Sequence, residues 1–291
     1  VIGRRALLAG IASVVACRKS TAGTPAPIAT RIVSISPSTT ETLFVIGAGD
    51  RVVGRSRYCD WPAEVTKLPQ VGGYIDPSFE AILALRPDLV TGARGPAGDV
   101  LTRRLEARGV ATYFPKTESF AGIEEMIGGL GTRTGRSNAA LDTVTKLHAR
   151  LEEIRAKYTN DAQPPRVLLV FGLDPLAVAG PGSFADEMIT WAGGKNAVDK
   201  GGAYPTIGVE HVLTLNPDVI VNAAIAESHG KERIASDTPG WSRVPAVRGG
   251  HVRAISDESV LRPGPRIAEG LATLEQAIHD GIVAPEPLRK K

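Results

Sequence analysis

Ser78-Phe79-Glu80-Ala81-Ile82-Leu83-Ala84-Leu85-Arg86-Pro87-Asp88-Leu89-Val90 is a phrase that the chain says twice. It returns as Gly208-Val209-Glu210-His211-Val212-Leu213-Thr214-Leu215-Asn216-Pro217-Asp218-Val219-Ile220. Glu, Leu, Leu, Pro and Asp recur at the same steps. Phe79, Ile82, Leu83 and Leu85 follow helical spacing. Proline cannot continue a helix, and it pushes the residue before it out of the helical region. The apolar runs behind it, Leu89-Val90 and Val219-Ile220-Val221, predict strands buried on both faces. One unit stated twice predicts two similar lobes with a cleft between them.

Working outward, Arg31-Ile32-Val33-Ser34-Ile35 reads as an opening strand. Ser38-Thr39-Thr40-Glu41 fits a capping box at a helix start. Val52-Val53-Gly54 and Ala111-Thr112-Tyr113-Phe114 are further strands, with helices over Leu101–Arg108 and from about Phe120 to Gly131. Strands alternating with helices predict a parallel sheet covered on both faces. Ser137 to Tyr158 contains no Gly or Pro, and Leu141, Val144, Leu147, Leu151 and Ile154 fall three or four apart. Such a helix spans roughly 33 Å, enough to bridge two domains. Arg166-Val167-Leu168-Leu169-Val170-Phe171 then opens a second lobe as Arg31–Ile35 opened the first. Two more echoes follow in the same order: Leu43–Val53 with Met188–Val198, and Lys116–Ser119 with Ser256–Ser259. The expected fold is therefore α/β: two tandem α/β lobes with mostly parallel sheets, joined by one long backbone helix. We place the N-terminal lobe at 31–136, the linking helix at 137–160 and the C-terminal lobe at 161–291.

The 291 residues are enough for two ordinary cores. A chain that is 43% hydrophobic and 22% charged is globular, not disordered or collagen-like. The formal net charge is only +3, and Arg289-Lys290-Lys291 is its one basic block. That excludes the basic footprint of a nucleic-acid binder. At the other end, Arg4-Arg5 precede an apolar run, Ala6 to Ala16, and then Cys17. A charged stretch, an apolar stretch of about a dozen residues and small residues before a cleavage point make an export signal. Val14-Val15-Ala16-Cys17 resembles a bacterial lipobox. We therefore expect a lipoprotein-type signal over 1–17, with lipid on Cys17 anchoring the protein to the membrane. Residues 18–30, rich in Ser, Thr, Ala, Gly and Pro, are expected to be a flexible tether of up to roughly 45 Å. The expected location is the periplasmic or cell-surface side of a bacterial membrane. With Cys17 lipidated, Cys59 has no partner for a disulfide.

Catalytic signatures are missing. There is no G-x-S-x-G elbow, H-E-x-x-H helix, Walker loop or G-x-G-x-x-G fingerprint. The histidines are scattered, without a second ligand at metal spacing. We expect no enzyme activity, no metal site and no cofactor beyond a transported ligand. The loops carry more. Ligands of parallel α/β sheets bind beyond the carboxyl ends of the strands. Those loops hold Tyr58, Trp61, Tyr74 and Arg94 in the first lobe, and Phe171, Tyr204 and Asp257 in the second. Aromatics make up 5% of the chain, so their gathering in strand-end loops points to a large, flat, partly apolar ligand. Trp241 reads as packing a turn near the outer surface. Glu80 and Glu210 each suit the first turn of a helix, where a carboxylate is favoured by the dipole.

Ser34–Glu41, Arg57-Tyr58-Cys59-Asp60-Trp61-Pro62, Val71-Gly72-Gly73-Tyr74 and both Glu–Pro-Asp phrases carry a family resemblance. From Arg31 to about Asp280 the chain resembles the vitamin B12-type periplasmic binding proteins of ABC importers. Their class has a helical backbone between its lobes and includes haem and iron-siderophore binders. The resemblance implies a monomer that captures a corrinoid, above all cobalamin, and delivers it to a permease dimer with its ATPase subunits. It implies a ligand site at Tyr58, Tyr74, Tyr204 and Asp257, and permease docking through Glu80 and Glu210. Haem and ferric siderophores are the alternatives within the class. An exported binding module serving a sensor, or a two-domain metalloenzyme, are alternatives outside it.

Overall fold

The computed structural model describes residues 27–94, 98–159, 162–227, 233–235 and 237–280. The export signal with Cys17, most of the tether and the basic tail lie outside the described residues.

The first lobe runs β1 (Ile32–Ser34), α1 (Pro37–Val45), β2 (Val52–Arg55), α2 (Phe79–Ala84), β3 (Leu89–Thr91), α3 (Gly98–Glu106), β4 (Ala111–Tyr113) and α4 (Phe120–Arg133). Its four strands are all parallel, in the order β2-β1-β3-β4. The linking helix α5 covers Ser137–Ala156. The second lobe runs β5 (Arg166–Leu173), β6 (Leu176–Val178), α6 (Phe184–Trp191), β7 (Lys195–Asn196), α7 (Val209–Leu215), β8 (Val219–Asn222), α8 (Ala224–Glu227), α9 (Pro245–Arg248), β9 (Val252–Ala254) and α10 (Ile267–His279). Strand β5 pairs in parallel with β7 and β8, and β8 with β9. The order β7-β5-β8-β9 repeats that of the first lobe. One strand breaks the symmetry: β6 folds back antiparallel on the far end of β5.

The repeated phrase forms α2–β3 and α7–β8, and its parts have separate physical jobs. Arg86 (φ 49°) and Asn216 (φ 43°) stand before the two prolines, in left-handed rather than extended geometry. The Asp of each copy ties the start of its lobe's first strand. Asp88 accepts from the Thr30 amide (2.8 Å) and the Arg31 amide (3.0 Å). Asp218 accepts from the Arg166 amide (2.7 Å). The arginines return the favour at the helix ends: Arg31 donates to Leu85 O (2.7 Å) and Arg166 to Leu215 O (2.9 Å). Free carbonyls at a helix C-terminus are thereby satisfied by a cation. Two such clasps, one per lobe, go beyond the packing and helix termination that the sequence implied. Thr30, placed in the tether from sequence, is bonded to the lobe by its amide and hydroxyl.

The core differs from two separate cores. One cluster runs through both lobes: Ile32, Leu43, Ile127 and Leu130 from the first, Leu147, Leu151 and Ile154 from α5, Val167, Leu169, Val219, Leu271 and Leu274 from the second. Strand alternation explains it. Val167, Leu169 and Val221 face this shared core, while Leu168, Val170 and Ile220 face a smaller outer cluster. That outer cluster also holds Trp241, buried in the short turn Trp241–Arg243, as the sequence reading expected.

Candidate functional site

A cleft of about 820 Å³ opens between the lobes. Its walls come from strand ends. Ser36, Pro37 and Ser38 follow β1; Arg57, Tyr58 and Asp60 follow β2; Ala93 and Arg94 follow β3; Thr117 and Glu118 follow β4. Phe171 lies near the end of β5, and Glu258, Leu261 and Arg262 follow β9. Every parallel strand of the first lobe thus points its carboxyl end at the cleft, as this sheet type requires.

Apolar and ring surface is plentiful. Tyr58 is 53% exposed, Ile75 69% and Tyr204 46%, all lining the cleft. Phe171 meets Tyr204 edge-on at 5.6 Å between ring centres, and Phe184 lies 6.4 Å from Tyr204. The Tyr74 hydroxyl donates to Arg94 O (3.0 Å). Burial, and then the Glu118 carboxylate, push the Tyr74 phenol above its ordinary value. Burial, Glu118 and Tyr74 do the same more strongly at Tyr204. Both groups remain neutral phenols at physiological pH.

Across the cleft floor the lobes are joined by charge. Glu41, 1% exposed, accepts from Arg266 Nε (2.9 Å), Arg266 Nη2 (2.9 Å) and Arg262 Nη1 (3.2 Å). Arg262 also holds Asp60 (2.6 Å) and Glu258. Burial raises the Asp60 carboxyl, but the bond and charge of Arg262 outweigh it, leaving it below its ordinary value. Burial lowers the Arg262 guanidinium, and Asp60, Glu258 and Glu41 more than restore it. Glu41 is therefore not the second half of a capping box. Helix α1 begins at Pro37, behind Ser36, and Ser36 Oγ instead accepts from the Ala93 amide (2.8 Å). The carboxylate points inward because two guanidiniums from the other lobe neutralise it there.

The structure brings together Tyr58, Tyr74, Arg94, Phe171 and Tyr204. It does not bring Trp61 or Asp257 to the cleft wall. Trp61 lies under the Arg266 guanidinium, 4.9 Å from it. Asp257 caps a short turn, accepting from the Ser259 amide (2.9 Å) and from Thr273 Oγ1 (3.4 Å). A carboxylate next to a helical turn is drawn to its free amides, so the adjacent Glu258 faces the cleft instead. Sequence reasoning passed over Glu118 and Glu258 as ligand-facing residues. The signal was present: they occupy the same step of the Lys116–Ser119 and Ser256–Ser259 echo. Cys59 is buried and free, with its thiol raised by burial. Glu80 and Glu210 stand exposed in the first turns of α2 and α7. Glu80 makes a long contact to Arg104, 3.6 Å. Among the described residues no cluster of His, Cys, Asp and Glu could hold a metal ion.

The architecture is two α/β lobes on a long helical spine with an aromatic cleft between them. The periplasmic binding protein family model matches residues 32–258, and the chain belongs to that family. A vitamin B12-binding protein of Vibrio campbellii is 28% identical over 241 residues, 82% of this chain and 85% of the relative. The solved vitamin B12-binding protein BtuF of Vibrio cholerae is 26% identical, with a TM-score of 0.74, covering 86% of this chain and 96% of the other. The periplasmic heme-binding protein RhuT of a Roseiflexus species is 29% identical, with a TM-score of 0.73, covering 86% and 98%. The chain is a periplasmic substrate-binding protein of the B12, haem and siderophore class, a component of ABC importers rather than an enzyme. It carries a transported ligand, not a cofactor. No described helix is long and apolar enough to cross a membrane.

Proposed function

We propose that the protein captures a corrinoid, cobalamin above all, and delivers it to an ABC permease dimer. One observation carries this choice over haem or a ferric siderophore: the cleft is aromatic, and its described arginines are already paired. Each of its arginines already has a carboxylate: Arg57 with Asp76 (2.7 Å), Arg94 with Asp99 (3.5 Å), Arg262 with Asp60. Haem propionates or an anionic siderophore would have to break those pairs. Haem iron also favours an imidazole or phenolate ligand. Among the described residues no histidine lines the cleft. A corrinoid brings its own metal ligands, a broad apolar face and neutral amides, which suit rings and hydrogen-bonding groups. The homologous B12-binding proteins support the same choice.

Tyr58, Tyr74, Phe171 and Tyr204 would supply the ring contacts. Trp61 and Asp257 would act from behind, on Arg266 and on the turn that presents Glu258. The exposed pair Glu80 and Glu210 would dock the permease, since equivalent carboxylates on two similar lobes suit a two-fold partner. Cys17 would carry the lipid and the protein would act as a monomer. Calorimetric titration with cobalamin, cobinamide and hemin tests the ligand. Binding of both corrinoids with little hemin binding is expected. A Soret band dependent on Tyr74, without corrinoid binding, would overturn the choice. Glu80→Ala with Glu210→Ala should leave ligand affinity intact while weakening capture by permease in detergent.

A further inference from the structure

The charged groups of the cleft are not evenly satisfied. Asp60 and Glu258 both spend their charge on Arg262, and Arg57 and Arg94 are held by Asp76 and Asp99 outside the cleft wall. Glu118 lines the same cleft, is exposed, and has no ion pair among the described residues. It follows β4 and precedes Ser119, whose hydroxyl accepts from the Gly122 amide (3.1 Å) and caps α4. The backbone at Glu118 is thus fixed by the cap. Its partner by internal symmetry, Glu258, has an arginine four residues on. The corresponding residue after Glu118 is Gly122, so the symmetry leaves Glu118 bare. Its charge reaches the phenols of both Tyr74 and Tyr204, on opposite lobes, so it acts at the middle of the aromatic wall.

We propose that Glu118 is a specificity-determining residue that admits ligands with hydrogen-donating amide edges and rejects their carboxylate counterparts. A carboxylate accepts hydrogen bonds and cannot donate them. Beside it, an amide edge offers an N–H, while a ligand carboxylate brings a like charge and leaves both groups unpaired. Repulsion discriminates because the wrong ligand loses affinity without the right one needing extra contacts. Among the described residues each cleft arginine already has a carboxylate partner. The inference rests on the cleft being the site of the carried macrocycle. It narrows the corrinoid reading to fully amidated corrinoids over corrinoid acids.

The test compares cobinamide, with amide edges, and cobyrinic acid, with carboxylates, by calorimetry on the wild type and on Glu118→Gln. The wild type should favour cobinamide by well over about tenfold, and Glu118→Gln should shrink that ratio about tenfold, chiefly by tighter acid binding. The wild-type ratio should also fall with added salt, since screening weakens repulsion between exposed charges. An unchanged ratio in Glu118→Gln, with cobinamide still bound, would overturn the role of Glu118 and leave the corrinoid reading standing. If neither corrinoid binds the wild type, that reading fails instead. Hemin and its dimethyl ester then decide the role of Glu118: the ester should be favoured by the wild type and not by the variant, and equal ratios overturn it.

Discussion

Glu41 is a buried charge that bridges the two lobes. It is buried between Arg262 and Arg266, and through them it joins α1 of one lobe to the segment before α10 of the other. Removing one member of a buried ion cluster leaves the rest uncompensated. Glu41→Ala should therefore destabilise the fold by about 3 kcal/mol or more, read by urea unfolding. Glu41→Gln, which keeps shape and some hydrogen bonds, should cost less. Acid should act through the paired carboxyls. Asp60 and Asp88 are both held below their ordinary value, burial being outweighed by Arg262 at the first and by the Thr30 and Arg31 groups at the second. Their unfolded forms take up protons first. Their contribution is complete above the ordinary carboxyl range and drains away as pH falls below about 4. Urea midpoints should be flat from neutrality to about pH 5 and drop below it, with a shallower drop in Asp88→Asn.

At the scale of elements, α4 and α5 pack closely. A Cβ on Gly131 would come within 2.4 Å of the Ala140 Cβ. Gly131→Ala should force the two helices apart and cost about 1–3 kcal/mol, measurable as a lower thermal midpoint. Leu151, fully buried on α5, should cost about 2–5 kcal/mol on truncation to Ala. Helices and strands were largely legible in the chain, because each long one carries its own period: α5 shows it from Leu147 to Ile154, and β8 as an unbroken apolar run. Strand β6 was not. Leu176-Ala177-Val178 is three residues long, and its pairing with Gly172 and Leu173 is what makes it a strand. The cleft was legible as a place, since strand ends predict it, and five of its seven expected residues line it. Asp257 missed it because its carboxylate caps the turn that follows, at the Ser259 amide, and Trp61 missed it because it packs under Arg266, a partner far off in sequence.

On the scale of the whole molecule, the shared core decides behaviour. Val167, Leu151 and Ile127 belong to one cluster, so neither lobe can open without exposing the other. The protein should unfold in a single calorimetric transition whose calorimetric and van't Hoff enthalpies agree; two resolved transitions would refute the shared core. The same continuity, with α5 spanning about 30 Å, restricts ligand-driven motion to slight rocking of the lobes. The sequence by itself determined the duplication, the α/β alternation, the spine and the site at strand ends. Those are periodic or repeated patterns, and local physics reads them. Only the tertiary structure decided that the lobes share a core, that Glu41 locks them together, and that Glu258 is neutralised while Glu118 is left bare. Those facts depend on which distant groups meet, and charge is satisfied by neighbours in space rather than along the chain.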